Sequence, residues 1–189
     1  MLAAHSEIKF SGEAESGEQL LGKLREKTYD VVLLDISLPG RSGLDVVKQL
    51  RSDFPDLPVL VLSMFQEEKF AIRMFKAGAS GYLHKDSSPD QLLNAIKVVY
   101  RGDLYFSPKV SRLMVNQLNK DTDELHDILS DREFEVLILL GKGLSITRIA
   151  EMLSLSSKTV STYKTRIMEK LNFKSSNDLV QYTIMNGLH

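Results

Sequence analysis

The sequence predicts an α/β domain built on a parallel sheet, followed by a small all-α domain. Three observations carry this. In the first half, short apolar runs alternate with amphipathic stretches of helical period. Near-continuous apolar strands of about five residues separated by helices indicate a parallel sheet covered on both faces. After residue 129 the strand patterns stop and four helical patterns follow, opened by a capping signal.

In chain order, residues 31–34 (VVLL) form a buried strand ending at Asp35, and residues 59–62 (VLVL) a second ending at Ser63. Residues 81–83 (GYL) form a third that stops just before Lys85, and residues 8–14 are a further candidate. Helical patterns lie between them at about 16–26, 43–53, 67–77 and 89–101. Pro39-Gly40, Pro55, Pro58, Gly78 and Gly81 punctuate the joints. The order fades over 104–127, where the polar run 119–124 marks a linker and 109–118 is a candidate helix. The expected division is therefore 1–103, a linker 104–127, and a helical domain 128–189.

At 189 residues, 43% apolar and 26% charged, the chain has the composition of an ordinary globular protein. It lacks an apolar run of membrane-spanning length, and its first residues are no signal peptide. A cytoplasmic protein without membrane contact is the expectation. With no cysteine and four scattered histidines, neither a disulfide framework nor a thiolate metal site is expected. The net charge of −1 is uneven: residues 1–105 carry 13 Lys/Arg against 15 Asp/Glu, residues 130–189 carry 8 against 6. The useful concentration is between Lys158 and Lys170, with four cations and one anion.

Ser130 followed by Glu133 is a capping box that starts the first helix of the second domain, and Gly141 and Gly143 end it. Ser145 can cap the second helix, with Ile149, Ala150 and Leu153 on one stripe. Residues 153–156 form a short turn, and Ser156 or Ser157 caps the third helix, 157–171. At 100° per residue, Val160, Ile167 and Leu171 of that helix share a core face. Lys158, Ser161, Thr162, Thr165 and Arg166 fall mostly opposite, while Lys164 lies at the boundary, its stem free to pack and its ammonium reaching outward. A polar helix carrying small hydroxyls and cations suits the DNA major groove, cations holding phosphates and hydroxyls and Arg reading base edges. A basic helix alone is more often a solvated face; its place third in a capped, tightly turned set favours DNA.

The same segment resembles the LuxR-type helix-turn-helix of NarL/FixJ response regulators. The resemblance rests on Leu129-Ser130, Glu133, Glu135-Val136-Leu137, Gly143-Leu144-Ser145, Ile149-Ala150, Leu153, Ser156, Lys158-Thr159-Val160 and Lys170-Leu171. It implies DNA binding as a homodimer by Lys158, Thr159, Ser161, Thr162, Lys164, Thr165 and Arg166. The last helix helps dimerisation, with Val180, Ile184 and Leu188 as candidates beside a plain core reading of the same stripe.

In parallel α/β sheets chemistry sits at the carboxyl ends of strands, where Asp35, Ser63 and Lys85 all fall. Singly, Asp35 would be a turn former, Ser63 a helix cap and Lys85 a solvated charge. Together they offer a carboxylate nucleophile toward phosphorus with an ammonium and a hydroxyl to steady the added charge. This half is similar to the receiver domain of two-component response regulators over about residues 5–101, in residues 30–35 (DVVLLD), Leu38-Pro39-Gly40, Ser42-Gly43, Val61-Leu62-Ser63, residues 77–83 (AGASGYL) and Lys85. The resemblance implies a flavodoxin-like fold in which Asp35 accepts phosphate from a sensor histidine kinase. Ser63 follows the phosphoryl group, Tyr82 changes rotamer with it and Lys85 pairs with it. Mg²⁺ would be held by Asp35 and the backbone carbonyl of Ser37.

Residues 1–5 match the end of that family's first helix. The first strand, most of the first helix and the paired acids that supply most Mg²⁺ ligands are thus outside this sequence, about 20 residues at typical element lengths. A receiver truncated at its N-terminus is the expectation, from a misassigned start or a fragment in preference to a genuinely shortened gene, with weak Mg²⁺ binding and poor phosphorylation. The leading function is a DNA-binding transcriptional response regulator switched at Asp35. The alternative is a phosphorylation-independent DNA-binding regulator whose receiver serves only dimerisation or docking. An aspartyl-phosphate hydrolase is disfavoured: Ser37 stands where a general acid would be needed, and there is no cap domain over Asp35.

Overall fold

The computed structural model describes residues 8–36, 41–65, 67–118 and 125–188. The chain divides into two compact units, Met1–Lys120 and Asp121–His189.

The first unit holds a three-stranded parallel sheet in the order β1-β2-β3: β1 Val32–Asp35, β2 Val59–Ser63 and β3 Gly81–His84. The register pairs Val32 with Val59 and Asp35 with Leu62, then Leu60 with Gly81 and Ser63 with His84. Helices α1 Gly17–Glu26, α2 Gly43–Asp53, α3 Glu67–Ala77 and α4 Pro89–Tyr100 alternate with the strands. Local chemistry fixes their starts: Ser16, Ser42 and Ser88 each accept from a backbone N–H of the first turn, and Ser88 with Gln91 completes a capping box. Strand side chains alternate between the two faces. Leu60 and Leu83 meet Ala95, Ile96 and Val99 of α4, with Ile8, Leu33, Leu62 and Leu92 packed around them. On the other side α2 and α3 pack on each other, and α3 on β3.

Two expectations are corrected here. Residues 8–14 form no strand, because a strand needs a partner ladder and, among the described residues, β1 pairs only with β2. Ile8 still packs on the α4 cluster. The expected linker 104–127 is largely structured. Tyr105 bridges to Gly81, and helix α5 Pro108–Leu118 packs on α3. Ser107 N–H donates to Glu67 Oε1 at 2.7 Å, Phe106 meets Phe75 edge-on, and Val110 is buried. A few anchors thus fasten 104–118 to this unit, with the candidate helix 109–118 present as α5, while the polar run 119–124 lies outside the described residues.

The second unit opens with a 3₁₀ turn, Leu125–Ile128, then α6 Asp131–Gly141, α7 Ile146–Met152, α8 Ser157–Lys170 and α9 Ser176–Met185. Ser130, Ser145, Ser156 and Ser175 cap the four helices. Helix α6 packs on α8 and α9, and α7 on α8. Its core holds Phe134, Val136, Leu137, Ile149, Leu153, Val160, Ile167, Leu171 and Leu179. Gly141 ends α6 where it approaches α9 most closely: a Cβ there would lie 2.5 Å from the hydroxyl oxygen of Thr183.

Candidate functional site

In the first unit, the parallel register carries β1 and β2 to their carboxyl ends side by side, with Lys85 just beyond β3. Lys85 Nζ donates to Asp35 Oδ2 at 2.5 Å, and both side chains are about two-thirds buried. The Lys85 backbone N–H donates to the Ser63 carbonyl at 2.8 Å, which fixes Lys85 against the end of β2. Ser63 is fully buried, and its hydroxyl oxygen accepts from Phe65 N–H at 2.9 Å. Tyr82 is also buried; its hydroxyl donates to the Phe65 carbonyl at 2.9 Å, and Phe65 stacks on Phe70 at the start of α3. Asp35 and Lys85 therefore touch directly, while Ser63 and Tyr82 converge on Phe65, a residue that no sequence signal singled out. Ser37 lies outside the described residues.

In the second unit, α8 presents two faces. Val160 and Ile167 are buried, as is Leu171 at its C-cap, whereas Lys158, Ser161, Thr162, Thr165 and Arg166 are exposed. Thr159 and Lys164 are half-buried at the boundary. The hydroxyls of Ser161, Thr162 and Thr165 each donate to the carbonyl four residues back, at 2.9, 3.0 and 3.2 Å. Their oxygen lone pairs remain to accept from outside the helix. Thr159 is held inward by Ser156, hydroxyl to hydroxyl at 2.7 Å.

Lys170, the last cation of this helix, is exposed but turns back onto α6. Its Nζ donates to the buried Glu133 Oε2 at 2.7 Å, and the same carboxylate accepts from Ser130 N–H at 2.7 Å. Burial alone would push the Glu133 carboxyl up; the hydrogen bond from Lys170, those from Ser130 and the Lys170 charge outweigh it and hold it below the ordinary glutamate range. The capping box was legible in the sequence, but its tie to α8 was not. Beside it Arg132 and Glu135 form a buried pair at 2.7 Å.

Of the three dimerisation candidates on and after α9, Ile184 is exposed and Val180 half-buried. Leu188 is buried, with its N–H on the Thr183 carbonyl at 2.7 Å, so it serves the monomer core. Met185, the most exposed large apolar side chain of this stretch, was missed because it falls outside the i, i+4 stripe.

Comparison with known proteins places both units. The response regulator receiver domain family matches residues 2–97, and the family described as bacterial regulatory proteins, luxR family, matches residues 127–183. The chain is 38% identical over 197 residues to the oxygen regulatory protein NreC of Staphylococcus epidermidis, covering 100% of this chain and 90% of that protein. Among solved structures it is similar to RcsB from Salmonella enterica serovar Typhimurium, bound to promoter rprA in the presence of phosphomimetic BeF3−. The TM-score is 0.59 and the identity 27%, over 96% of this chain and 88% of that one. A structure of two RcsB dimers bound to two parallel DNAs matches with a TM-score of 0.55 at 28% identity, over 96% and 87%.

Proposed function

The chain belongs to the two-component response regulators that join a receiver domain to a LuxR-type DNA-binding domain, and within that family we propose that Asp35 is its phosphoryl acceptor and α8 its base-reading helix. It is a DNA-binding transcription regulator and not an enzyme.

The observation that supports Asp35 is its direct pairing with Lys85 at the carboxyl end of the sheet. An Asp35 oxygen attacks phosphorus, and the bond from phosphorus to the donor breaks. With a sensor histidine kinase as donor, that is the P–N bond of a phosphohistidine, whose imidazole keeps the electron pair and takes a proton. Lys85 Nζ then shifts from the carboxylate to the added phosphoryl oxygens. The Ser63 hydroxyl turns from Phe65 N–H toward the same oxygens, and Tyr82, bonded to the Phe65 carbonyl, follows the loop.

Receiver domains typically use Mg²⁺ for this transfer. The described residues do not fit such a site: Asp35 is a single carboxylate paired with Lys85, and no group of three His, Asp or Glu stands together among them. Hard cations of this kind ask for several oxygen ligands. The transfer is therefore expected to be slow in residues 1–189 alone. This favours a second reading, in which this chain engages DNA without phosphorylation.

On α8, Lys158, Lys164 and Arg166 hold phosphates, while Ser161, Thr162 and Thr165 offer acceptors to the exocyclic amines of adenine or cytosine. Thr159 positions the helix start. The protein acts as a homodimer on double-stranded DNA, with the exposed Ile184 and neighbouring Val180 of α9 as the contact. RcsB, its structural relative, is found as dimers on DNA. The test is incubation of the purified chain with acetyl phosphate and Mg²⁺, followed by titration of DNA. Slow, substoichiometric labelling that vanishes in Asp35→Asn is expected. Stoichiometric labelling within minutes would overturn the proposed deficit; labelling that survives Asp35→Asn would overturn the assignment of the acceptor.

A further inference from the structure

The segment that follows α4 is fastened in two different ways. Its beginning is sheet. Tyr105 N–H donates to the Ser80 carbonyl at 2.9 Å and Tyr82 N–H to the Tyr105 carbonyl at 3.0 Å, so residue 105 is tied to the edge of β3. The fit is close: a Cβ on Gly81 would lie 2.9 Å from the Tyr105 carbonyl oxygen. Two residues later the chain turns into α5, and there the fastening is a helix cap. The Ser107 carbonyl accepts from Ser111 N–H at 3.0 Å and its hydroxyl from Val110 N–H at 3.3 Å, so Ser107 is the cap residue. In a capping box the third helical residue returns a side-chain oxygen to the cap N–H. In α5 that residue is Val110, which is buried and carries no acceptor. The oxygen comes instead from Glu67, the first residue of α3, whose Oε1 accepts from Ser107 N–H at 2.7 Å.

Beyond Val110 and the contact of Phe106 with Phe75, α5 has little of its own to keep it helical. It is 11 residues long, and isolated helices shorter than about 12–15 residues are marginal in water. Its first turn holds no acidic residue and its last turn no basic one, so neither end complements the helix dipole. The negative charge at its N-terminus is that of Glu67. Glu67 in turn stands two residues beyond Phe65, whose N–H donates to the Ser63 hydroxyl and whose carbonyl accepts from the Tyr82 hydroxyl.

We propose that Glu67 is a latch for α5: the helix depends for its stability on a carboxylate supplied by α3, and the turn at residues 63–65 sets the latch by carrying Glu67 with it. Residue 105 is the fixed end of this device and residues 108–118 are its releasable part. Unlatched, the 11 residues of α5 pass from a helix about 16 Å long to free chain that reaches up to about 36 Å. All of that length is added to the polypeptide joining the two units. The latch goes beyond the phosphoryl reading, since it stands on Glu67, Ser107 and the 63–65 turn whatever reacts at Asp35.

The test is native-state hydrogen exchange on the whole chain, without a phosphodonor. Glu67→Ala should speed exchange at the Ser107 and Ser111 amides about three- to thirtyfold, the range that loss of an N-cap spans. The Tyr105 amide and those of α4 should keep the parent rate. Glu67→Gln, which keeps an acceptor and loses the charge, should fall between. Tyr82→Phe frees the Phe65 carbonyl without altering α5, and should speed the same two amides. Lys109→Glu gives α5 an acidic residue in its own first turn; added to Tyr82→Phe, it should bring Ser111 back to near the parent rate. Should Glu67→Ala not fold, Glu67→Gln and Tyr82→Phe decide by the same readout. Three results would overturn the proposal. One is parental exchange at Ser107 and Ser111 in the Glu67 variants. Another is equal acceleration at Tyr105, which would make the change a loosening of the whole unit. The third is parental exchange at both amides in Tyr82→Phe, which would cut the latch from the turn. None of these involves labelling of Asp35, so they stand apart from the results that decide the acceptor.

Discussion

At the scale of single residues, the receiver unit depends on a few side chains whose geometry is tight. Tyr82→Phe removes the donor to the Phe65 carbonyl, a buried bond of 2.9 Å. It is expected to lower stability by about 1 kcal/mol in urea unfolding, with the sheet otherwise unchanged. A variant as stable as the parent would show that this bond does not hold the Phe65 loop. In the second unit, Glu133 is the residue that pH should reveal. Its carboxyl is held below its ordinary value near 4.5 despite burial. A carboxyl with a depressed folded pKa contributes its stability in full above the unfolded value and loses it as pH falls through the folded one. The second unit should therefore weaken below about pH 4.5. Glu133→Gln should cost about 2 kcal/mol at pH 7, as loss of a hydrogen bond to a charged group does, and should flatten that acid limb. An unchanged limb in guanidinium titrations from pH 3 to 7 would show that another group carries it.

Elements were legible where their signals are local. All seven helices of regular αβ and helix-turn-helix pattern (α1–α4 and α6–α8) start within one residue of the expected positions, and six of them, all but α3, follow a serine cap that acts within a single turn. What needed a distant partner was not legible. Residues 8–14 have strand-like composition and no ladder, and 104–118 is pinned by Val110 and by a Glu67 contact forty residues away. Gly141 reads as a helix stop, yet its larger use is to let α6 and α9 approach. Gly141→Ala, tolerable by helix propensity, is thus expected to destabilise the second unit by about 1–3 kcal/mol through overpacking against Thr183. A melting temperature at or above the parent's would contradict that close approach. On α8 the two faces were separable by period alone, since core and exposed positions repeat every three to four residues.

The whole molecule combines a sheet-end carboxylate–ammonium pair in one unit with a helix that has a polar exposed face in the other, in a chain whose family regulates transcription. The placement of Asp35, Ser63 and Lys85 could be read in one dimension because each ends or follows a strand, whereas Tyr82 lies inside β3 and was singled out only by the family resemblance. Among the described residues no group of three His, Asp or Glu stands together around Asp35, and the contacts proposed for α8 do not depend on one. The two functions should therefore separate: DNA binding by residues 1–189 is expected without a phosphodonor. Lys164→Ala should weaken it across sequences and reduce the salt slope by about one. The most direct measurement selects binding sites from a randomised duplex pool, with the chain and with Thr162→Ala compared at one salt concentration. If α8 reads bases, the parent enriches a two-fold-symmetric consensus, and Thr162→Ala relaxes one position in each half-site by about 1–3 kcal/mol of discrimination. The same consensus at full strength from Thr162→Ala would contradict it.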